Sequence, residues 1–258
     1  MKLSENELTR IKKLTTKKGR KKSGKILVEG TRCIRELLVS DFEVEKIIVS
    51  TTLLTETGRE FLKSISDHEV YELNAHKFSQ IAVEKSSQGI IAVARFKAGK
   101  ELSFGKKSLV CMIPKMSDPS NLGALIRSAV AFRAKLIIGS ESAEVFSPKV
   151  ISASSGYVFR AEIEICESVI ERLNFLRDNA FRLWGADNSG NDIGSIREFP
   201  DRIVIVIGNE AFGLAEDIKQ KMDSFVKIAV DPMVDSLSAP IAGSILLREI
   251  SDRLGLLK

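Results

Sequence analysis

The 258-residue sequence predicts an α/β protein made of two successive α/β domains. Three observations lead there. Short apolar runs alternate with stretches of helical periodicity along most of the chain, the pattern of layered α/β architecture. The run IVIVI inside RIVIVIGNE (202–210) has no polar face, as in a parallel strand covered on both sides. The alternation breaks once, in KAGKELSFGKK (97–107), where glycines and lysines without periodicity suggest a linker, taken as 99–107.

Residues 1–25 form a basic arm with ten Lys or Arg against two Glu, so residues 26–258 carry 29 basic and 32 acidic side chains. The overall charge of +5 is therefore concentrated at one end. Such an arm suits phosphate backbones, because each neutralised phosphate releases counterions. A solvated tail that aids solubility is the alternative. The first domain, 26–98, reads as the strand ILVEG (26–30), a helix over TRCIRELLVS, the strand EKIIVS (45–50), a helix near TETGREFLKSI, the short strand VYEL (70–73), a helix over AHKFSQIA and the strand GIIAVARF (89–96). The second, 108–258, restarts with the strand SLVCMI, a helix over DPSNLGALIRSA, the strand KLIIG and helices at PKVISASS and SVIERLNFLRDN. It continues with the strand FRLWGAD (181–187), the strand RIVIVIGNE, a helix near LAEDIKQKM, the strand FVKIAV (225–230) and a long terminal helix from about Leu237.

Composition closes off several functions. No apolar run approaches the roughly 20 residues that cross a bilayer, and the first residues lack the apolar core of a secretory signal, so a cytoplasmic protein is expected. Cys33, Cys111 and Cys166 are odd in number and fit no zinc spacing, so they read as buried small hydrophobes, and no metal is expected. His68 and His76 lie beside no catalytic set.

Three stretches carry chemistry. In DPSNLGALIRSA (118–129), Leu122, Leu125, Ile126 and Ala129 recur at helical spacing, and Asn121, or Asp118 or Ser120 before it, can cap the helix. Gly123 costs about 0.8–1 kcal/mol relative to Ala in a helix, which a closely approaching segment or ligand would explain. Arg127 lies off the centre of the apolar stripe, and a capped helix with a solvated Arg satisfies the same letters. VIGNEAFGL (206–214) follows an apolar strand and precedes a helix, the place where open α/β sheets collect ligands. Gly208, Glu210 and Gly213 thus mark a binding loop or an ordinary turn, and the absence of GxGxxG argues against a nicotinamide-type site. In IAVDPMVDSLSAPIAGSILL (228–247) a strand passes through a polar turn into a helix opened by Ser236 and Ser238, with Pro240 in its first turn. Ala239, Ala242, Gly243 and Ser244 suit close helix packing, and a plain cap and packing surface is again the alternative.

In this order and spacing the three stretches resemble the three motifs of the SpoU branch of the SPOUT RNA methyltransferases, also called the TrmH-like family. Asp118-Pro119, Asn121, Gly123, Arg127 and Ala129 match the first motif, and Gly208, Glu210 and Gly213-Leu214 the second. Ser236-Leu237 match the third, which departs from the family at Ser238, where Asn is usual, and at Ala229-Val230, where Pro-Met is usual. KILVEGTRCIREL and SSQGIIAV are similar to the start and end of the family's ribosomal-protein-L30e-like RNA-binding domain.

The resemblance implies an N-terminal L30e-like domain and a C-terminal SPOUT domain with a deep trefoil knot, an exception to unknotted topology. It implies S-adenosylmethionine bent in that knot against Gly208, Asn209, Gly213, Ile228, Val230, Leu237 and Ser238, and transfer of its methyl group to a ribose 2′-hydroxyl. It assigns catalysis to Arg127, Asn121, Glu210 and Ser236. A guanidinium is a poor base near neutrality, so Arg127 is expected to act as a cation that holds the adjoining phosphate and stabilises the forming alkoxide. The implied partners are RNA, with ribosomal RNA favoured over tRNA, and a second copy of the chain joined through the C-terminal domain; neither DNA nor a membrane is expected. A catalytically silent RNA-binding or ribosome-assembly protein on the same fold is the alternative that Ser238 motivates.

Overall fold

Residues 1, 3–65, 68–84, 86–96, 101–209 and 212–257 are described by the computed structural model, and they fall into two compact units. The first comprises Met1–Ala98 with Glu144–Arg160, the second Gly99–Ala143 with Ala161–Lys258.

In the first unit, α1 (Glu5–Lys13) and α2 (Lys17–Ser23) precede β1 (Lys25–Glu29), α3 (Thr31–Leu38), β2 (Val44–Val49), α4 (Glu56–Lys63), β3 (Val70–Glu72), α5 (Ala75–Ser79) and β4 (Ile90–Arg95). The sheet order is β1-β4-β2-β3, with β4 antiparallel to both neighbours and β2 parallel to β3. The basic segment read from the sequence as an arm, 1–25, carries these two helices. Ser4 and Glu7 make a reciprocal capping box at the start of α1, and Leu8, Ile11 and Leu14 are buried in one cluster with Leu27, Ile48 and Phe78. The lysines between them conceal an apolar stripe at three-residue spacing.

The second unit begins with β5 (Ser108–Ile113), α6 (Pro119–Ala131) and β6 (Lys135–Gly139). The chain then supplies α7 (Pro148–Ala153) to the first unit. There Glu144 takes a two-pronged hydrogen bond from Arg20, at 2.7 and 2.6 Å, and Arg160 pairs with Glu36. The second unit resumes with β7 (Ile163–Cys166), α8 (Val169–Asp178), β8 (Arg182–Asp192), β9 (Arg202–Val206), α9 (Glu216–Lys219), β10 (Ser224–Lys227) and α10 (Ala239–Arg253). Its six strands are all parallel, in the order β10-β8-β9-β5-β6-β7. Within the stretch expected to be a linker, residues 99 and 100 lie outside the described residues, whereas Leu102 is buried in the second unit's core and Phe104 meets Phe181 edge to face.

α6 and α10 pack on each other. Asp118 is the cap of α6: its Oδ1 accepts from the amides of Ser120 and Asn121 at 2.7 and 2.9 Å, and Pro119 fills the first turn, where an N–H would have no partner. Leu122, Leu125, Ile126 and Ala129 are buried, while Arg127 is exposed. A Cβ on Gly243 of α10 would lie 2.7 Å from Leu125 Cδ1, and the hydroxyls of Ser128 and Ser244 are 2.6 Å apart. Gly243 and Ser244, whose size suits close helix packing, thus face α6 of their own chain. Leu125 is fully buried and has no solvent to swing into, so Gly243→Val is expected to destabilise the protein by about 1–3 kcal/mol, read as a lower urea midpoint at constant slope.

All three cysteines are free and buried. Burial pushes the Cys33 thiol up to about 11 and the Cys111 thiol up to about 12, and raises that of Cys166. Thiols so protonated are poor nucleophiles. Among the described residues no group of three or more His, Cys, Asp or Glu is placed to hold a metal ion, and no helix is long and apolar enough to cross a membrane.

Candidate cofactor-binding site

In a parallel sheet the segments leaving the carboxyl ends of neighbouring strands converge on one edge, and ligands bind in the crevice there. Here the segments following β9 and β10, an excursion within β8 and the start of α10 enclose a cavity of about 360 Å³. That volume falls in the range of small-molecule sites.

The segment after β9 supplies Ile207, Gly208, Asn209 and Gly213 to the wall. The Ile207 amide donates to the Met112 carbonyl at 2.9 Å, which extends the ladder with β5 by one bond. The chain then folds back in a loop closed by two bonds between Asn209 and Gly213, at 2.9 and 2.8 Å. Gly208 permits that closure, because a Cβ there would lie 2.4 Å from the carbonyl carbon of Gly213. Gly213 itself adopts φ 66° with open space around it. Glu210 lies outside the described residues, and Phe212 at the loop tip is 90% exposed.

The segment after β10 supplies Ile228, Val230, Ser236, Leu237 and Ser238. Ser238 is the N-cap of α10, yet its hydroxyl accepts from no amide of that helix. It lines the cavity instead, beside Ala239, Ala242 and Leu246 of α10. An N-terminus left uncapped in this way turns free donors and a partial positive charge toward whatever fills the cavity.

β8 contributes residues that sequence reasoning missed. The register with β10 jumps between Phe225 and Val226, so residues 186–190 leave the ladder, and Ala186, Asp187 and Asn188 of this excursion line the cavity. Gly190 lets the strand return, since a Cβ there would lie 2.4 Å from the Phe225 carbonyl carbon. The Asp187 carboxylate accepts from the Ser189 amide and hydroxyl at 2.9 and 2.7 Å and lies 3.4 Å from Lys219 Nζ. These bonds, with the Ser189 amide foremost, hold it below the usual carboxylate range and keep a negative charge at the cavity edge. The sequence marks only the end of the apolar run of β8 just before Asp187 and Asn188; the register jump that brings them to the cavity is visible in the structure alone.

The structure therefore brings Gly208, Asn209, Gly213, Ile228, Val230, Leu237, Ser238 and Ser236 to one cavity. Asn121 and Arg127 are not among its lining residues; both stand on α6, half-buried and exposed respectively. Six residues apart, they point about 120° away from each other around the helix. The cavity is lined by apolar Ile207, Ile228, Leu237 and Leu246, by Ser236 and Ser238, by the amides Asn188 and Asn209, by Gly208 and Gly213, and by one acid and one base, Asp187 and Lys227. A small molecule with both apolar and polar parts suits that lining.

Residues 108–248 match the family described as "SpoU rRNA Methylase family", and residues 5–92 match "MRM3-like substrate binding domain". A protein of Borreliella burgdorferi named "Uncharacterized tRNA/rRNA methyltransferase" is 24% identical over 213 residues, covering 77% of this chain and 93% of its own. The fold is similar to a solved RNA 2′-O ribose methyltransferase, with a TM-score of 0.86 and 24% identity over 98% of both chains. It is also similar to the SpoU methyltransferase AviRb of Streptomyces viridochromogenes, solved in complex with AdoMet, with a TM-score of 0.81 and 22% identity over 96% of this chain and 98% of that one.

Proposed function

Because the chain belongs to the SpoU rRNA methylase family and is an RNA methyltransferase of that kind, we propose that it transfers a methyl group from S-adenosylmethionine to a ribose 2′-hydroxyl, in ribosomal RNA ahead of tRNA. The observation that carries this reading is the single cavity in which the second and third motifs meet, eight of the eleven site residues expected from the sequence lining it. Residues 26–98 are assigned to RNA binding on an L30e-like fold and 108–258 to a knotted methyltransferase domain. The functional unit is a homodimer joined through the latter, supported by Ile241 and Ile245, which stand one turn apart on α10 and are 53% and 40% exposed.

S-adenosylmethionine supplies an activated methyl on a sulfonium. The chain must hold that cation, align the acceptor oxygen behind the methyl and stabilise the charge that grows on the oxygen. Asp187 offers the sulfonium a negative charge at the cavity edge, the backbone at Gly208 and Gly213 approaches without side chains in the way, and the Ser236 and Ser238 hydroxyls are hydrogen-bonding groups for the polar tail. Alignment of this kind is worth effective molarities of about 10⁵–10⁸ M in favourable intramolecular cases. Arg127 holds the phosphate next to the target ribose and offsets the alkoxide charge, and Asn121 and Glu210 are assigned to orienting the ribose. Titration of the purified protein with S-adenosylmethionine in a calorimeter is expected to give one saturable site per chain; no binding heat at any temperature tested, together with no protection against thermal unfolding, would contradict the proposal.

A further inference from the structure

The cations of the first unit fall into two groups. Lys46 and Lys77 pair with Glu7 and Glu5, the acidic residues in the first turn of α1, and Lys25 pairs with Glu45. Among the described residues, Lys12, Lys13, Lys17, Lys18, Lys21 and Lys22 all remain exposed, and none makes an ion pair with a carboxylate. A folded surface that keeps six lysines unneutralised side by side in sequence repels itself. An anion that arrives from outside relieves that repulsion.

The second helix shows how the lysines are held. At 100° per residue, Lys17, Lys18, Lys21 and Lys22 of KKGRKKS spread over about 140° of the helix surface, with Gly19 and Arg20 on the other side. Gly19 is pressed on the end of α1, where a Cβ would lie 1.9 Å from the Lys13 carbonyl oxygen. Arg20 is 7% exposed and binds the Leu14 carbonyl at 2.7 Å as well as both oxygens of Glu144. The inward face is thus locked by backbone contact and a two-pronged charge pair, and the outward face is lysine only. The four ammonium groups are carried on a fixed helix, unlike those of a flexible tail.

We infer that the lysine face of α2, continued by Lys12 and Lys13 at the end of α1, is the surface on which this protein seats the phosphate backbone of its RNA. The inference rests on the RNA methyltransferase reading and adds to it the face that meets the substrate. RNA fits better than an acidic polypeptide, because phosphates recur at regular short intervals and lysines serve them as point charges without demanding a fixed fork. No aromatic side chain stands among these lysines, so the contact is to backbone and is insensitive to base sequence.

The test compares the full-length protein with Lys17→Gln/Lys18→Gln/Lys21→Gln/Lys22→Gln, which keeps helix propensity and touches no residue of the cavity. Binding of a fluorescein-labelled RNA stem-loop is followed by anisotropy at several NaCl concentrations. The expected result is a loss of affinity on the order of 10²–10³-fold near 0.1 M salt and a log–log salt slope shallower by about three to four, with S-adenosylmethionine affinity unchanged. Equal affinity and equal slope for the two proteins overturn the inference. So does displacement of the RNA by polyglutamate of the same charge as effectively as by unlabelled RNA, which would make the partner an acidic polypeptide. Lysine-dependent RNA binding by a protein that labels no RNA with methyl groups would uphold this surface and reject the methyltransferase reading.

Discussion

Methyl transfer by Arg127→Ala is expected to fall by about 10²–10³-fold, the usual effect of removing a group that stabilises developing negative charge, while the affinity for S-adenosylmethionine stays the same. The two halves of this expectation have separate structural grounds. Arg127 is exposed on α6, a helix that contributes nothing to the cavity wall, so its loss leaves the cofactor contacts intact. The rate falls because the acceptor oxygen gives up its proton to solvent water as the methyl leaves the sulfonium, and a fixed cation lowers the energy of the charge on that oxygen without reorganising. Arg127→Lys retains the charge and loses the planar fork that grips a phosphate at two oxygens. It is therefore expected to stay much closer to Arg127→Ala than to the parent. Single-turnover rates with saturating cofactor measure this directly, and a lysine variant at near-parental rate would show that charge alone is sufficient.

The second large effect falls on binding. Gly208→Ala places a methyl group 2.4 Å from the Gly213 carbonyl carbon and 2.7 Å from the Leu214 amide nitrogen. These are backbone atoms held by the Asn209–Gly213 bridge, so the loop must open to accommodate the new group, and the wall it contributes to the cavity moves with it. S-adenosylmethionine affinity is expected to drop at least about tenfold, equivalent to about 1.4 kcal/mol or more. Gly213→Ala provides the contrast. Nothing lies within 4 Å of its Cβ position, and the only cost is holding an alanine at φ 66°, about 1–2 kcal/mol of fold stability with little change in affinity. Calorimetric titration of both variants separates a steric cradle from a conformational one. Equal losses at the two positions would contradict the geometry of the loop.

Most of the architecture was legible because the features that announce it are local. The unbroken apolar run of β9 and the matching run of β5 could only be interior strands, and Asp118-Pro119 before an apolar stripe could only begin a helix. What escaped depended on distant partners. β7 was not anticipated, since IEIC alternates a charge with apolar residues and lies at the sheet edge, where Ile165 is 50% exposed and Glu164 pairs with Arg172. The helices of the basic segment escaped because the burial of Leu8, Ile11 and Leu14 depends on Leu27 and Phe78, which come later in the chain. At the site, glycine and serine positions stood out in the sequence, but Asp187 and Asn188 did not. Their access to the cavity comes from a register jump against a strand forty residues further on, and a pairing irregularity leaves no mark in a single sequence. The size of Gly243 announces close helix packing, but the partner, Leu125 of α6, is more than a hundred residues away in sequence, and smallness shows that something approaches without showing what.

Ser238 bears most directly on activity. Ser238 lines the cavity and its side chain caps no amide of α10, in the position where the family that the motifs resemble usually has an amide side chain. The decisive measurement is incubation of the protein with methyl-tritiated S-adenosylmethionine and total RNA, followed by complete alkaline hydrolysis. A methyl on the 2′-oxygen blocks attack on the neighbouring phosphodiester, so label is expected in alkali-resistant dinucleotides, formed about 10²–10³-fold more slowly by Arg127→Ala. Label in mononucleotides would mean methylation of a base, and a protein that binds both the cofactor and RNA yet transfers no label would be a silent binder; either result contradicts the account.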